Sequence, residues 1–162
     1  AAQGEVVEPV NFNSPGQVVI AGNKAAVERA MELCKAKGAK RALPLPVSVP
    51  SHCSLMKPAA DKLAAALATI QINSPQIPVL HNADVAAYGD ADQIRDALTR
   101  QLYRPVRWTE TIQQLAAGGI VLMAECGPGK VLAGLAKRID GNVNCHALTD
   151  AAKLEAARAE LG

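Results

Sequence analysis

Residues 120–138, Ile-Val-Leu-Met-Ala-Glu-Cys-Gly-Pro-Gly-Lys-Val-Leu-Ala-Gly-Leu-Ala-Lys-Arg, read as an apolar strand, a tight glycine-proline turn and a helix. The short apolar run Ile120–Ala124, followed by Glu125 and the turn Gly127-Pro128-Gly129, fits a strand of a parallel sheet. The same alternation continues outward. From Ser54 onward, helices are expected near 55–70, 90–103, 106–117, 129–138 and 150–161, with strands near Ile77–Leu80, Ile120–Glu125 and Val143–Ala147. Helices alternating with short apolar strands predict a layered α/β arrangement around a parallel sheet.

The part before Ser54 is different. Two β-prone runs, 5–11 and 17–21, flank the turn cluster Asn13-Ser14-Pro15-Gly16 and predict a hairpin. Asn23 stands where an N-cap would, Val27, Ala30, Met31 and Cys34 recur at helical spacing, and Gly38 marks a helix end. The stretch Lys40–Val49 can begin as a strand, but Pro44, Pro46 and Pro50 force it out of a sheet as an extended segment. That segment delivers the chain into Ser51-His52-Cys53.

The composition narrows the function classes. With 162 residues and 49% hydrophobic content there is enough apolar surface for a core, and aromatics at 2% leave few rings to stack nucleic-acid bases. Seventeen basic against fifteen acidic residues argue against a general polyanion binder. The spacing of Cys34, Cys53, Cys126 and Cys145 offers no zinc-ligand pattern, and reduced thiols are expected. No apolar run reaches the ~20 residues that span a bilayer, and a cytoplasmic protein with no membrane or nucleic-acid partner is expected.

His52 has the most informative setting of the three histidines, held between a stiff proline-rich segment and a helix. Histidine suits proton transfer near neutral pH because its unperturbed pKa is ~6.5. A base needs a nucleophile, yet no serine here lies in a glycine-flanked strand-to-helix elbow. Cys53 adjoins His52 but points to the opposite side of an extended segment. Cys126, before a glycine turn and a helix start, is a rival thiol nucleophile, with a small buried cysteine as the plainer reading. Glu125–Leu132 resembles a phosphate-cradling loop but lacks the P-loop spacing, and Pro128 removes a donor. Two basic groups, Lys35, Lys37, Lys40 and Arg41, and Arg100, Arg104 and Arg107, could meet phosphates or an acidic partner, or form a solvated surface.

Four ordered blocks, Pro9–Gly22, Leu45–Cys53, Arg100–Trp108 and Glu125–Leu132, are together similar to the stand-alone bacterial malonyl-CoA:acyl carrier protein transacylases. The resemblance covers nearly the whole chain and weakens after about Asp140. It implies an enzyme of fatty-acid synthesis that moves malonyl from CoA to the phosphopantetheine thiol of acyl carrier protein through an acyl-serine, with no further cofactor. His52 aligns with that family's catalytic base and Gln101 with the position whose backbone carbonyl orients it; Asn11 and Asn13 fall in the hairpin that borders the cleft. The fold implied is a partial ferredoxin-like small subdomain (hairpin, helix, strand) over 1–49, then the C-terminal part of a parallel-sheet, hydrolase-like acyltransferase domain over 50–162. The nucleophilic serine belongs to the preceding half, so that half is an expected partner and this chain alone an expected inactive piece. Other acyl specificity, and a non-catalytic carrier-binding fragment, are the alternatives.

Overall fold

The computed structural model describes residues 1–161, which form two compact units, one of Ala1–Phe12 and Val18–Arg107, the other of Asn13–Gln17 with the residues from Trp108 onward. The described residues are α/β, with three two-stranded sheets among them.

The chain opens with the hairpin of β1 (Val7–Ser14) and β2 (Gln17–Gly22), whose stems belong to the first unit and whose tip, Asn13–Gln17, belongs to the second. β1 runs further than its sequence suggests, through Asn13 and Ser14, so the turn shrinks to Pro15 and Gly16. Pro15 presets the first corner and Gly16, at φ +76°, takes the left-handed corner that a side chain would resist. Helix α1 (Lys24–Ala36) follows and ends in a glycine cap: Gly38, φ +92°, donates to Lys35 O at 3.0 Å and Ala39 donates to Cys34 O at 2.9 Å. Asn23 holds the N-cap position but does not cap. Its Oδ1 instead accepts from Val6 N at 2.8 Å, and its own N–H donates to Val6 O at 2.8 Å, hooking the helix start to the foot of β1.

Between Lys40 and Pro50 the chain is not a strand, contrary to the expectation for its first part. Pro44 and Pro46 have no N–H for a ladder, and the backbone bonds to itself instead, Val47 N to Leu45 O and Ser51 N to Val49 O, both at 2.8 Å. Leu43, Leu45, Val47 and Val49 remain between 50% and 67% exposed. A short 3-10 turn, Ser54–Met56, then leads into α2 (Lys57–Leu67). Arg95 closes the end of α2 by donating to Leu67 O and Ile70 O at 3.0 and 2.8 Å, which satisfies carbonyls the helix cannot use. A small antiparallel pair, β3 (Leu80–His81) and β4 (Ala86–Ala87), precedes α3 (Ala91–Arg100). Asp90 caps α3 by accepting from Asp92 N and Gln93 N at 2.9 and 3.0 Å. Ala60 and Leu67 of α2 and Ile94 and Ala97 of α3 are buried.

The second unit contains α4 (Trp108–Ala117), β5 (Leu122–Glu125), α5 (Val131–Ile139), β6 (Asn144–Ala147) and α6 (Ala151–Leu161). β5 and β6 pair in parallel with Leu122 opposite Asn144 and Glu125 opposite Ala147, and α5 is the crossover such a pair requires. Ile112, Ala136 and Val143 form its buried centre, with Trp108, Met123 and Ile139 packed around them. The parallel sheet expected from the sequence is present here as this one pair. No helix among the described residues is long and apolar enough to cross a membrane.

Candidate active site

His52 lies in the first unit at the end of the proline-rich segment, half-buried, with φ +65°. A β-carbon makes that left-handed conformation uncommon, and it persists only where surrounding contacts impose it. Two of those contacts come from the chain leaving α3. The His52 N–H donates to Leu102 O at 2.9 Å, and the ring Nδ1 lies 2.7 Å from Gln101 O. A carbonyl oxygen can only accept, so Nδ1 carries the proton in this contact. The neutral ring then keeps its lone pair on Nε2, the form a general base needs. Gln101 is the C-cap of α3, so the carbonyl that meets the ring is at the end of that helix.

The residues after His52 are equally constrained. Cys53 is fully buried, its thiol donates to Pro50 O at 3.2 Å, and burial pushes its ionisation up, which makes it a poor nucleophile. Ser54 donates its N–H and its hydroxyl to the two oxygens of Glu8, at 2.8 and 2.7 Å. Glu8 projects from β1, and β1 is tied to the segment beyond α3 by Val106 N to Val10 O at 2.8 Å and Phe12 N to Val106 O at 2.9 Å. Asn11 bridges Val106 through the same backbone pairing.

The fold therefore brings His52 and Gln101 into direct contact. Asn11 and Asn13 are both on β1, two residues apart and so on one face of the strand, and both are half-buried. Cys126 is exposed at the end of β5, in the second unit. The loop after it is already served by an internal anion, since Glu125 Oε2 accepts from Ala133 N at 2.8 Å in the first turn of α5. The basic groups divide. Arg100 is committed to Asp84 and Asp96, Lys35 pairs with Glu32 at 2.8 Å, while Lys37, Lys40, Arg41 and Arg104 are exposed. The Arg100 guanidinium also holds the Asp84 carboxyl below the usual carboxylate range.

Three participants escaped sequence reading. Leu102 contributes a backbone carbonyl, which no side-chain pattern can signal; Glu8 and Asp84 act on partners 46 and 16 residues away, beyond any local motif. Among the described residues no group of three or more His, Cys, Asp or Glu side chains is placed to hold a metal ion.

The acyl transferase domain family model matches residues 2–152. The chain is 62% identical over 157 residues to the malonyl CoA-acyl carrier protein transacylase of Escherichia coli (strain K12), covering 97% of this chain and 51% of that protein. Against the Bacillus subtilis (strain 168) protein of the same name it is 43% identical over 155 residues, covering 96% and 49%. The crystal structure of an acyl carrier protein S-malonyltransferase from Vibrio cholerae superposes with a TM-score of 0.94 at 65% identity, covering 96% of this chain and 51% of that one. A malonyl-transacylase solved in complex with its type II PKS acyl-carrier protein gives a TM-score of 0.96 at 59% identity, covering 98% and 52%. The chain spans about half the length of the relatives it matches. It belongs to the acyl transferase domain family.

Proposed function

We propose that this chain is the histidine-bearing part of a malonyl-CoA:acyl carrier protein transacylase, with His52 as the general base. The observation that carries the reading is the 2.7 Å contact between His52 Nδ1 and Gln101 O, which leaves Nε2 as the proton acceptor. The serine nucleophile would come from a preceding half of the whole protein, which we take to be this chain's partner.

In that assembly His52 Nε2 takes the hydroxyl proton as the serine oxygen attacks the malonyl thioester carbon. The tetrahedral oxyanion collapses, the carbon–sulfur bond breaks, and the proton on Nε2 passes to the departing CoA sulfur. Malonyl is left as an ester on the serine. The phosphopantetheine thiol of the carrier protein then gives its proton to Nε2, attacks the ester, and the serine oxygen recovers the proton as it leaves. Gln101 O stabilises the transient imidazolium through a charge-assisted hydrogen bond. Both substrates bring their own thioester or thiol, so no cofactor is required. A cytoplasmic location follows from such a role in fatty-acid synthesis.

We further read residues 1–49 as part of a ferredoxin-like subdomain and 50–162 as the closing part of a hydrolase-like acyltransferase layer, with Asn11 and Asn13 bordering the cleft. The exposed apolar row Leu43, Leu45, Val47 and Val49 supports a chain that packs against further structure. In the full-length protein, His52→Ala should lower steady-state transfer of malonyl to carrier protein by ~10²- to 10⁴-fold with the circular dichroism unchanged. Undiminished transfer would remove the assignment.

A further inference from the structure

We propose that Glu8 is a positioning residue for His52, its carboxylate holding the backbone turn at Ser54 so that the imidazole stays against Gln101 O. The inference rests on the reading of His52 as base and adds a residue to it.

Three residues must change conformation in succession here. His52 is left-handed at φ +65°, Cys53 is extended at φ −122° and ψ 170°, and Ser54 opens a 3-10 turn. A left-handed residue without glycine's freedom relaxes unless it is held from both sides. On one side the hold is the pair of carbonyls beyond α3, Gln101 O for the ring and Leu102 O for the backbone. The other side needs an acceptor for the first N–H of the turn, and the residue in the N-cap position, Cys53, does not provide one.

Glu8 supplies it from a different element. One oxygen accepts from Ser54 N at 2.8 Å and the other from Ser54 Oγ at 2.7 Å, so both distance and rotation at Ser54 are fixed. Bonds to an ionised acceptor are the stronger class. The strand that bears Glu8 is itself bonded to Val106 at 2.8 and 2.9 Å, four residues past Leu102. Both holds on His52 therefore refer to one backbone framework. Cutting Glu8 releases the downstream side while leaving Gln101 in place, and the ring is then free to leave its carbonyl.

The test compares Glu8→Ala, Glu8→Gln and Ser54→Ala in the full-length protein. Gln can still accept from Ser54 N through Oε1 and donate to Ser54 Oγ through Nε2, so it should rescue. Nitrogen-15 NMR of labelled histidine reads the His52 tautomer, a signature that a role confined to stability would leave alone. Expected are a single Nδ1–H tautomer for wild type and Glu8→Gln, a mixture for Glu8→Ala, and a smaller effect for Ser54→Ala, which loses only the hydroxyl bond. Transfer rates should follow, with kcat for Glu8→Ala down roughly 10- to 100-fold, the order seen when a reacting group is misplaced by about 1 Å, and KM little changed. If Glu8→Ala does not fold, Ser54→Ala carries the decision by the same two readouts. A wild-type tautomer and rate in the variant that folds overturns the proposal, and so does a Glu8→Gln as impaired as Glu8→Ala. His52→Ala, run beside them, separates the two ideas: full transfer there defeats the base assignment, whereas the tautomer result judges Glu8 alone.

Discussion

Gln101 should matter to transfer through its backbone and not through its side chain. The contact runs from His52 Nδ1 to the carbonyl oxygen at 2.7 Å, and every residue type has that oxygen. A hydrogen bond to a charged group is worth about 1.5–3 kcal/mol, so losing it at the imidazolium stage would slow transfer about 10- to 150-fold. Gln101→Ala keeps the carbonyl, and alanine suits the end of α3 at least as well. Its effect should stay within ~0.5 kcal/mol, about twofold in rate. Gln101→Pro is the converse. It removes the Gln101 N to Ala97 O bond of 3.0 Å and drives Arg100 out of helical geometry, moving the same carbonyl. Its rate should fall at least about tenfold, the loss of one charge-assisted bond. The assay is malonyl transfer to carrier protein by full-length variants whose circular dichroism matches wild type. A Gln101→Ala that loses more than about tenfold, beyond what an ordinary surface change does, would place the side chain in the chemistry and refute this reasoning.

Other outcomes follow from particular contacts. A Cβ on Gly22 would sit 2.0 Å from Val6 O and 2.9 Å from Val7 Cα, so Gly22→Ala should break the hook between Asn23 and Val6 and cost at least about 2 kcal/mol in urea unfolding. Gly16→Ala, with nothing within 4 Å, should cost only the left-handed penalty of about 1–2 kcal/mol; equal losses at the two sites would contradict the steric account. Asp84→Asn should destabilise by about 1–3 kcal/mol at pH 7. Its folded pKa lies below the unfolded value near ~3.9, so the contribution is present above that value and lost as pH falls through the folded one. The difference from wild type should therefore close on acidification, and a pH-independent gap would argue against the Arg100 pair. In thiol titration of this chain, Cys34 and Cys126 should react first, half-buried Cys145 more slowly, and Cys53 only on unfolding, because burial pushes the ionisation of the last two up. A Cys53 as fast as Cys34 would mean that the turn around His52 opens.

Much of this architecture could be read from local chemistry. Pro15-Gly16 dictates a hairpin corner, Gly38 a helix end, and the apolar run before Gly127-Pro128-Gly129 a strand-turn-helix. Each depends on neighbours within a few residues. The failures share the opposite property. Asn23 looked like a cap, but Val6 N, 17 residues earlier, took its side-chain oxygen. Lys40–Val49 had strand-like alternation, yet a strand needs a partner ladder that residues 44 and 46, both proline, decline to join. β4 is two alanines, too short and too bland for any pattern. At the site, the placement of His52 after a rigid segment was legible, and family resemblance pointed to Gln101. The left-handed backbone at His52, its bond to Leu102 and the Glu8 clamp arise from contacts that the fold alone creates.

The most direct test of the central claim is the intact mass of the full-length protein after a brief exposure to malonyl-CoA, wild type beside His52→Ala. The account predicts one malonyl adduct per wild-type molecule, on a serine outside this chain, and a variant that stays almost wholly unmodified over the same interval. A His52→Ala protein that acquires the adduct as fast as wild type would contradict it.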